Sequence, residues 1–330
     1  MKLKFLYLTI IALLSFHCPA ESLYKKEKRY DIIVDAKGTG DYKTVQEAIN
    51  AVPSQQNKET VIFIKNGVYK EKILLAQDKI NVTFTGEDKN KTILTYGDYA
   101  SKKNEKGQNI GTSGSYTFAV FGDYFKAENI TFENSAGPVG QAVAVKIDGD
   151  EVIFNNCKFL GFQDTLYAHG NKSRQYYLNC YIEGTTDFIF GASMAVFDRC
   201  EIFAKKGGSY ITAANTQKNS PCGFVFLNCK LTGNTPENSF YLGRPWENYA
   251  QTVFVQCNIG NHIKAAGWHN WGRKEAEETV FYAEYNCKGK GARTEKRVSW
   301  SHQLKKTEAE KYTIGTIFGA DFTNRIKEAL

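Results

Sequence analysis

The chain has 330 residues, 42% of them hydrophobic, and a formal net charge of +7 from 42 Lys and Arg against 35 Asp and Glu. Its lysines are scattered rather than clustered, which argues against nucleic acid as a partner. One short apolar run at the N-terminus has no successor downstream, so no membrane span is expected; weak steering toward a polyanion is the one expectation left by the charge.

The opening "MKLKFLYLTIIALLSFHCPAES" has two lysines, an apolar run of about a dozen residues and the small residue Ala20 before a polar stretch. Residues 1–20 therefore read as a signal peptide, and the protein as exported, secreted or periplasmic. A lipoprotein with Cys18 as its acylated first residue is the minor alternative, because Ser15, Phe16 and His17 fit an attachment site poorly. Residues 21–330, with the charge reduced to +5 by loss of Lys2 and Lys4, exceed what one spherical core encloses. No Pro/Gly/Ser linker divides them, so a single elongated domain is expected.

The first predicted element is a short capping helix in "TVQEAINAVP". Val45, Ala48, Ile49 and Val52 share one helical face, Thr44 and Glu47 form a capping box, and Pro53 ends the run. The preceding "GTGDYKT" lacks the spacing of a phosphate loop and reads as a turn.

Beyond it the chain repeats. "VIFNNCKF", "QYYLNCYI", "AVFDRCEI", "FVFLNCKL" and "TVFVQCNI" share the template aromatic-x-x-Cys-x-apolar at intervals of 20 to 30 residues, with Cys287 a looser copy and Ile130 in the cysteine slot of an earlier one. This period marks a solenoid. Alternation within a strand puts each cysteine, the residue two after it and the residue four before it on one face, as in Ile153, Cys157 and Phe159. One strand per turn with no helical pattern between copies predicts an all-β right-handed parallel β-helix. The aromatic residue three before each cysteine either faces outward or marks a bend. Beyond the leader there are seven cysteines, and six of them share the repeat slot, so they read as small apolar core fillers. One disulfide between stacked neighbours stays open, and Cys222 lies outside the template.

Asp164 in "GFQDTLYAHG" follows Cys157 by seven residues, and Asp187 in "GTTDFIFG" follows Cys180 by seven. If the coil keeps register, the two carboxylates stack roughly 5 Å apart at the backbone. Such a pair cannot easily ionise twice, which supplies an acid together with a base or nucleophile. The plainer alternative is that both aspartates merely satisfy turn backbone. Neighbours favour chemistry: Gln163 and Gln141 offer neutral donors for developing negative charge, Arg244 in "YLGRPW" can keep one carboxylate ionised, and Trp246 can cover a sugar face. No G-x-S-x-G elbow, H-E-x-x-H or zinc-type Cys/His spacing occurs. His169 reads as structural or substrate-adjacent.

The stretch from "VDAKGTGDYKTVQEAINAVP" to "RVSWSHQL" also carries "GTSGSYTFAVFGDYFKAENITFENSAG", "GQAVAV", "RQYYLNCYIEGTTDFIFGAS", "AAGWHNW" and "FYAEYNCKGKGA". With these motifs in this order the chain resembles the pectin methylesterases, carbohydrate esterases built on a right-handed parallel β-helix. The resemblance implies Asp187 as nucleophile on the methyl ester of a galacturonate unit, Asp164 as general acid and then base, Gln163 and Gln141 as the oxyanion hole, and Arg244 as the partner of Asp187. It implies Trp246, Trp268, Tyr167, Phe190 and, more loosely, Thr112 as substrate-groove residues. The implied partner is pectin, methylated homogalacturonan, with no metal or organic cofactor; a monomer is expected. The lack of an inhibitor-like region before the catalytic part suggests a bacterial-type enzyme. Thr186 before the nucleophile, the loop in "HGNKSRQ" and the wording "ITAANT" depart from the family pattern and put pattern preference in question rather than chemistry. A retaining glycosidase, a pectate lyase and a silent pectin-binding β-helix are the rival readings.

Overall fold

The computed structural model describes residues 30–329, so the leader, Cys18 and His17 lie outside the described residues. Three sheets of eleven, seven and eight strands run along the molecule, and neighbouring strands pair parallel throughout the named ladders. Each central coil gives one strand to each sheet. Val152–Asn155, Lys158–Leu160 and Leu166–Ala168 make one coil, and Arg174–Leu178, Tyr181–Gly184 and Thr186–Gly191 the next. This is the expected parallel β-helix, whose crossovers between parallel strands take the right-handed form.

The cysteine repeat marks the bend between the first two strands of each coil. Asn156, Asn179, Arg199, Asn228, Gln256 and Asn286, each immediately before a cysteine, have φ between 48° and 54°. Asparagine tolerates this left-handed backbone better than most residues. The bend breaks the two-residue alternation and corrects the expected facing: the residue that shares the interior with each cysteine is three before it, not four. Phe154, Tyr177, Phe197, Phe226 and Phe254 therefore form one internal column, with successive centroids 5.3, 4.6, 4.6 and 4.5 Å apart and planes within 12° of parallel. Tyr177 is accommodated because its hydroxyl donates to Gln175 Oε1 at 2.7 Å.

The six template cysteines form a second internal column, while Cys222 lies in the outer cluster under the C-terminal helix; all seven described are free. The six column thiols lie against backbone carbonyls instead, as Cys200 Sγ does against Tyr177 O at 3.4 Å. Phe197→Ala would open a void between Tyr177 and Phe226 and is expected to cost about 3–5 kcal/mol in a denaturant titration; a loss under about 1 kcal/mol would show that the column relaxes to close the gap.

Ile153, Tyr176, Val196, Val225 and Val253 point out of the coil and are buried by a separate cover. Phe318, Phe322 and Ile326 of the helix Ile314–Glu328 pack on them. At the N-terminal end of the coil the helix Val45–Ala51 forms as expected, with the reciprocal Thr44–Glu47 capping box, and packs on strands Ile32–Val34 and Ile73–Leu75. The "GTGDYKT" segment is a turn, fixed to the first strand where Ile33 N donates to Asp41 Oδ2 at 2.8 Å.

Candidate active site

The seven-stranded sheet carries the site on its outer face. Lys146, Tyr167, Phe190, Ala213 and Arg244 occupy one rung line across five successive strands. Register holds through the bend that carries the aspartates: Lys158 pairs with Tyr181 before it and Leu166 with Ile189 after it, an offset of 23 residues in both. Asp164 and Asp187 share that offset and are neighbours on adjacent coils, about 4.8 Å apart at the backbone. Gln141 and Gln163 pair in the same way one step earlier. The two amides and the two carboxyl groups thus converge on adjoining coils.

Both aspartates adopt left-handed backbone, with φ of 65° at Asp164 and 49° at Asp187. The pairing register also shifts between Thr186 and Ile189, bracketing Asp187. Irregularities of this kind re-aim a side chain at sheet sites with chemical work.

Electrostatics separate the two acids. Arg244 grips Asp187 with both arms, Nε to Oδ1 at 3.0 Å and Nη2 to Oδ2 at 2.6 Å. The guanidinium lies between the rings of Trp271 and Tyr210, 3.6 and 4.0 Å from their centroids, which fixes its plane. Burial raises the Asp187 carboxyl, and Arg244 opposes that rise. Asp164 has no such partner: burial first, and the charge of Asp187 second, push it well above the ordinary carboxylate range. A protonated Asp164 beside an ionised Asp187 is the state this asymmetry favours.

Tyr167 and Phe190 stack at 4.1 Å and 12°. Both are nearly buried and form the groove floor, with Trp246 half-buried above them at about 6 Å from each ring. Thr112 opens the short turn Thr112–Gly114 and is half-buried.

Trp268 requires correction. It is 1% exposed, stacks on Tyr282 at 4.3 Å and lies in the interior of the coil rather than in the groove. The tryptophan of "GWHNW" that reaches the site is Trp271, 37% exposed over Arg244. Tyr210, on the other side of Arg244, is also a residue that the motifs did not single out. Two departures from the family wording meet in one cavity of about 280 Å³ beside Trp246: Asn171 of the "HGNKSRQ" loop and Asn215 and Gln217 from and beyond "ITAANT" line it with His169. His169 Nδ1 bonds Asp148, whose other oxygen is 3.2 Å from Lys146 Nζ, so this histidine is committed away from the aspartate pair. Among the described residues no group of three or more His, Cys, Asp or Glu side chains is arranged to hold a metal ion.

The model of the Pectinesterase family matches residues 31–321. Pectinesterase 31 of Arabidopsis thaliana is 41% identical over 281 residues, covering 84% of this chain and 88% of that protein. The pectinesterase/pectinesterase inhibitor U1 of Solanum lycopersicum is 41% identical over 300 residues, 86% of this chain, which spans half of that longer protein. The solved structure of pectin methylesterase from carrot superposes with a TM-score of 0.83 at 37% identity, over 91% of this chain and 97% of that one. With a family model spanning nearly all described residues and a relative 41% identical over 88% of its own length, the chain belongs to the pectinesterase family.

Proposed function

We propose that residues 21–330 form an exported, monomeric esterase that hydrolyses the methyl esters of galacturonate units in pectin, releasing methanol. The observation that carries this reading is the unequal pair: one buried carboxyl gripped by a bidentate arginine that opposes the rise burial gives it, the other without that grip and pushed well above the ordinary carboxylate range by burial and its neighbour's charge. Asp187 Oδ attacks the ester carbonyl, and the oxygen that becomes negative is met by the side-chain amides of Gln163 and Gln141. As the intermediate collapses, the bond to the methoxy oxygen breaks and Asp164 gives it a proton, so methanol leaves. The galacturonate carbonyl is then joined to Asp187 as an anhydride. Water attacks that carbonyl while Asp164, now ionised, takes its proton; collapse frees the galacturonic acid and returns Asp187 to its carboxylate. The Tyr167–Phe190 floor and Trp246 supply apolar faces for sugar rings.

Methanol assayed against highly methylated pectin tests the reading. Release without new reducing ends, unchanged by a chelator, is expected. New reducing ends would favour a retaining glycosidase, whose carboxyl groups sit at a similar separation of about 5 Å. Chelator-sensitive cleavage would favour a lyase using calcium held by carboxylates, and binding without any turnover a silent β-helix. Gln163→Ala is expected to lower kcat by about 100-fold, the usual scale for one lost oxyanion donor, with little change in KM; unchanged turnover would remove Gln163 from that role.

A further inference from the structure

The segment that carries Trp271 to the site runs along the edge of the seven-stranded sheet, beside the strand Tyr241–Pro245. Leu242 N donates to Gly267 O at 2.7 Å, Gly243 bridges Trp268, and His269 N donates to Gly243 O at 3.1 Å. Arg244 follows Gly243 directly, so this short ladder sets the height of the guanidinium and of the indole above it. Trp271 has left-handed backbone, with φ 57°, and its N–H donates to His269 Nδ1 at 2.9 Å. Residues 264–272 form no helix or strand of their own, and their position depends on what stands behind them.

Arg297 stands there. Its guanidinium meets Glu284 with two bonds, Nε to Oε1 at 2.7 Å and Nη2 to Oε2 at 3.0 Å, and both side chains are almost wholly buried. Its other N–H groups donate to main chain, Nη1 to Lys264 O at 3.2 Å and Ala265 O at 3.0 Å, and Nη2 to Gly291 O at 2.7 Å. The whole donor set of the guanidinium is therefore engaged. Gly267, at φ 73°, leaves no room for a Cβ against the Arg297 stem, and Val298 N donates to Ala266 O at 3.1 Å. Glu284 lies in the strand Phe281–Tyr285, two residues from the Tyr282 ring on which Trp268 stacks. A buried ion pair is weak evidence for stability, because desolvation offsets the attraction. The planar fork, with a carboxylate on one edge and loop carbonyls on the other, is suited to fixing geometry.

We propose that Arg297, braced by Glu284, is a positioning residue for the esterase reaction: it holds the segment from Lys264 to Trp271 where the indole covers Arg244, and so keeps that guanidinium aligned on Asp187. The proposal rests on the esterase reading and deepens it. Arg297 acts on the reaction only through this segment. Without the brace the indole leaves one face of Arg244, which then opposes the burial-driven rise of the Asp187 carboxyl less well. Asp187 gains its proton at a higher pH, and the acid limb of the activity profile moves up with it.

The test is a double-mutant cycle between Arg297 and Trp271. Arg297→Lys keeps a cation opposite Glu284 but lacks the fork that reaches the carbonyls. Glu284→Met/Arg297→Met removes both charges together and leaves no unpaired carboxylate, so either variant can serve if the other fails to fold. Each should lower kcat about tenfold, with KM on highly methylated pectin changed less than about threefold. The acid limb should rise by roughly half a pH unit. In a Trp271→Ala background the same substitutions should lower kcat by less than about a further twofold. Acrylamide quenching, with Trp271→Phe identifying the emission that belongs to Trp271, should show this indole more accessible in both variants. A tenfold loss that persists without Trp271 would overturn the positioning role. So would an unmoved acid limb and unchanged quenching beside a lowered melting temperature, which would leave the pair as a brace of the fold alone. Absence of methanol release by wild type would instead defeat the esterase reading, and the quenching comparison would still decide whether Arg297 holds Trp271 in place.

Discussion

Asp187→Asn should abolish methanol release, lowering turnover by about 10⁴-fold or more while leaving pectin affinity within about twofold of wild type. An amide of the same shape can sit against Arg244 but cannot attack a carbonyl or leave as a carboxylate, so both halves of the reaction stop. The substitution also strips the partner from a guanidinium whose side chain is only 15% exposed. Breaking a buried pair in this way usually costs about 3–5 kcal/mol. Here the Trp271 and Tyr210 faces continue to neutralise part of that cost. Melting temperature and pectin binding must therefore be measured with turnover, so that an inactive fold is told apart from an inactive nucleophile. A folded Asp187→Asn protein that keeps more than a tenth of wild-type turnover would end the nucleophile assignment.

The acid pair was readable because register in a β-helix propagates. Once Cys157 and Cys180 share a slot, every residue the same distance beyond them shares a rung unless a coil gains or loses a residue, and none is gained between Lys158 and Leu166. The facing of the repeat was not readable by alternation, because Asn156 and its equivalents take left-handed backbone and shift the phase between two strands that look continuous in sequence. Trp268 and Trp271 could not be distinguished for a related reason: neither lies in a regular strand, so no period says which ring turns inward. A second tryptophan three residues on in "GWHNW" is the one sequence signal that points to Trp271.

The covering helix had a legible pattern in Phe318, Phe322 and Ile326, spaced four apart, but Gly315 and Gly319 interrupt it, and Gly319 does depart from helical geometry at φ 76°. Propensity alone argues against a helix there. Burial of the outward-facing Ile153, Tyr176 and Val196 outweighs it, a tertiary effect that no local window contains.

Asp164→Asn separates what this residue does for catalysis from what it does to stability. Loss of the general acid should lower kcat by about 10²–10⁴-fold. In wild type, activity should fall on the alkaline side as Asp164 loses its proton and on the acid side as Asp187 gains one, and the two apparent values belong to the coupled pair. The variant should lose the alkaline limb. Stability should move the other way. Because burial and Asp187 raise the Asp164 carboxyl in the folded protein, it keeps its proton where the unfolded chain has already released one. Folding then takes up a proton, so stability falls as pH rises from the ordinary carboxylate range through the raised value. Asparagine has no proton to lose and escapes that fall. Asp164→Asn should melt close to wild type near about pH 4 and above it near about pH 8. A melting difference that does not change with pH would mean that Asp164 is ionised in the resting enzyme, and the roles of the two carboxyl groups would have to be reassigned.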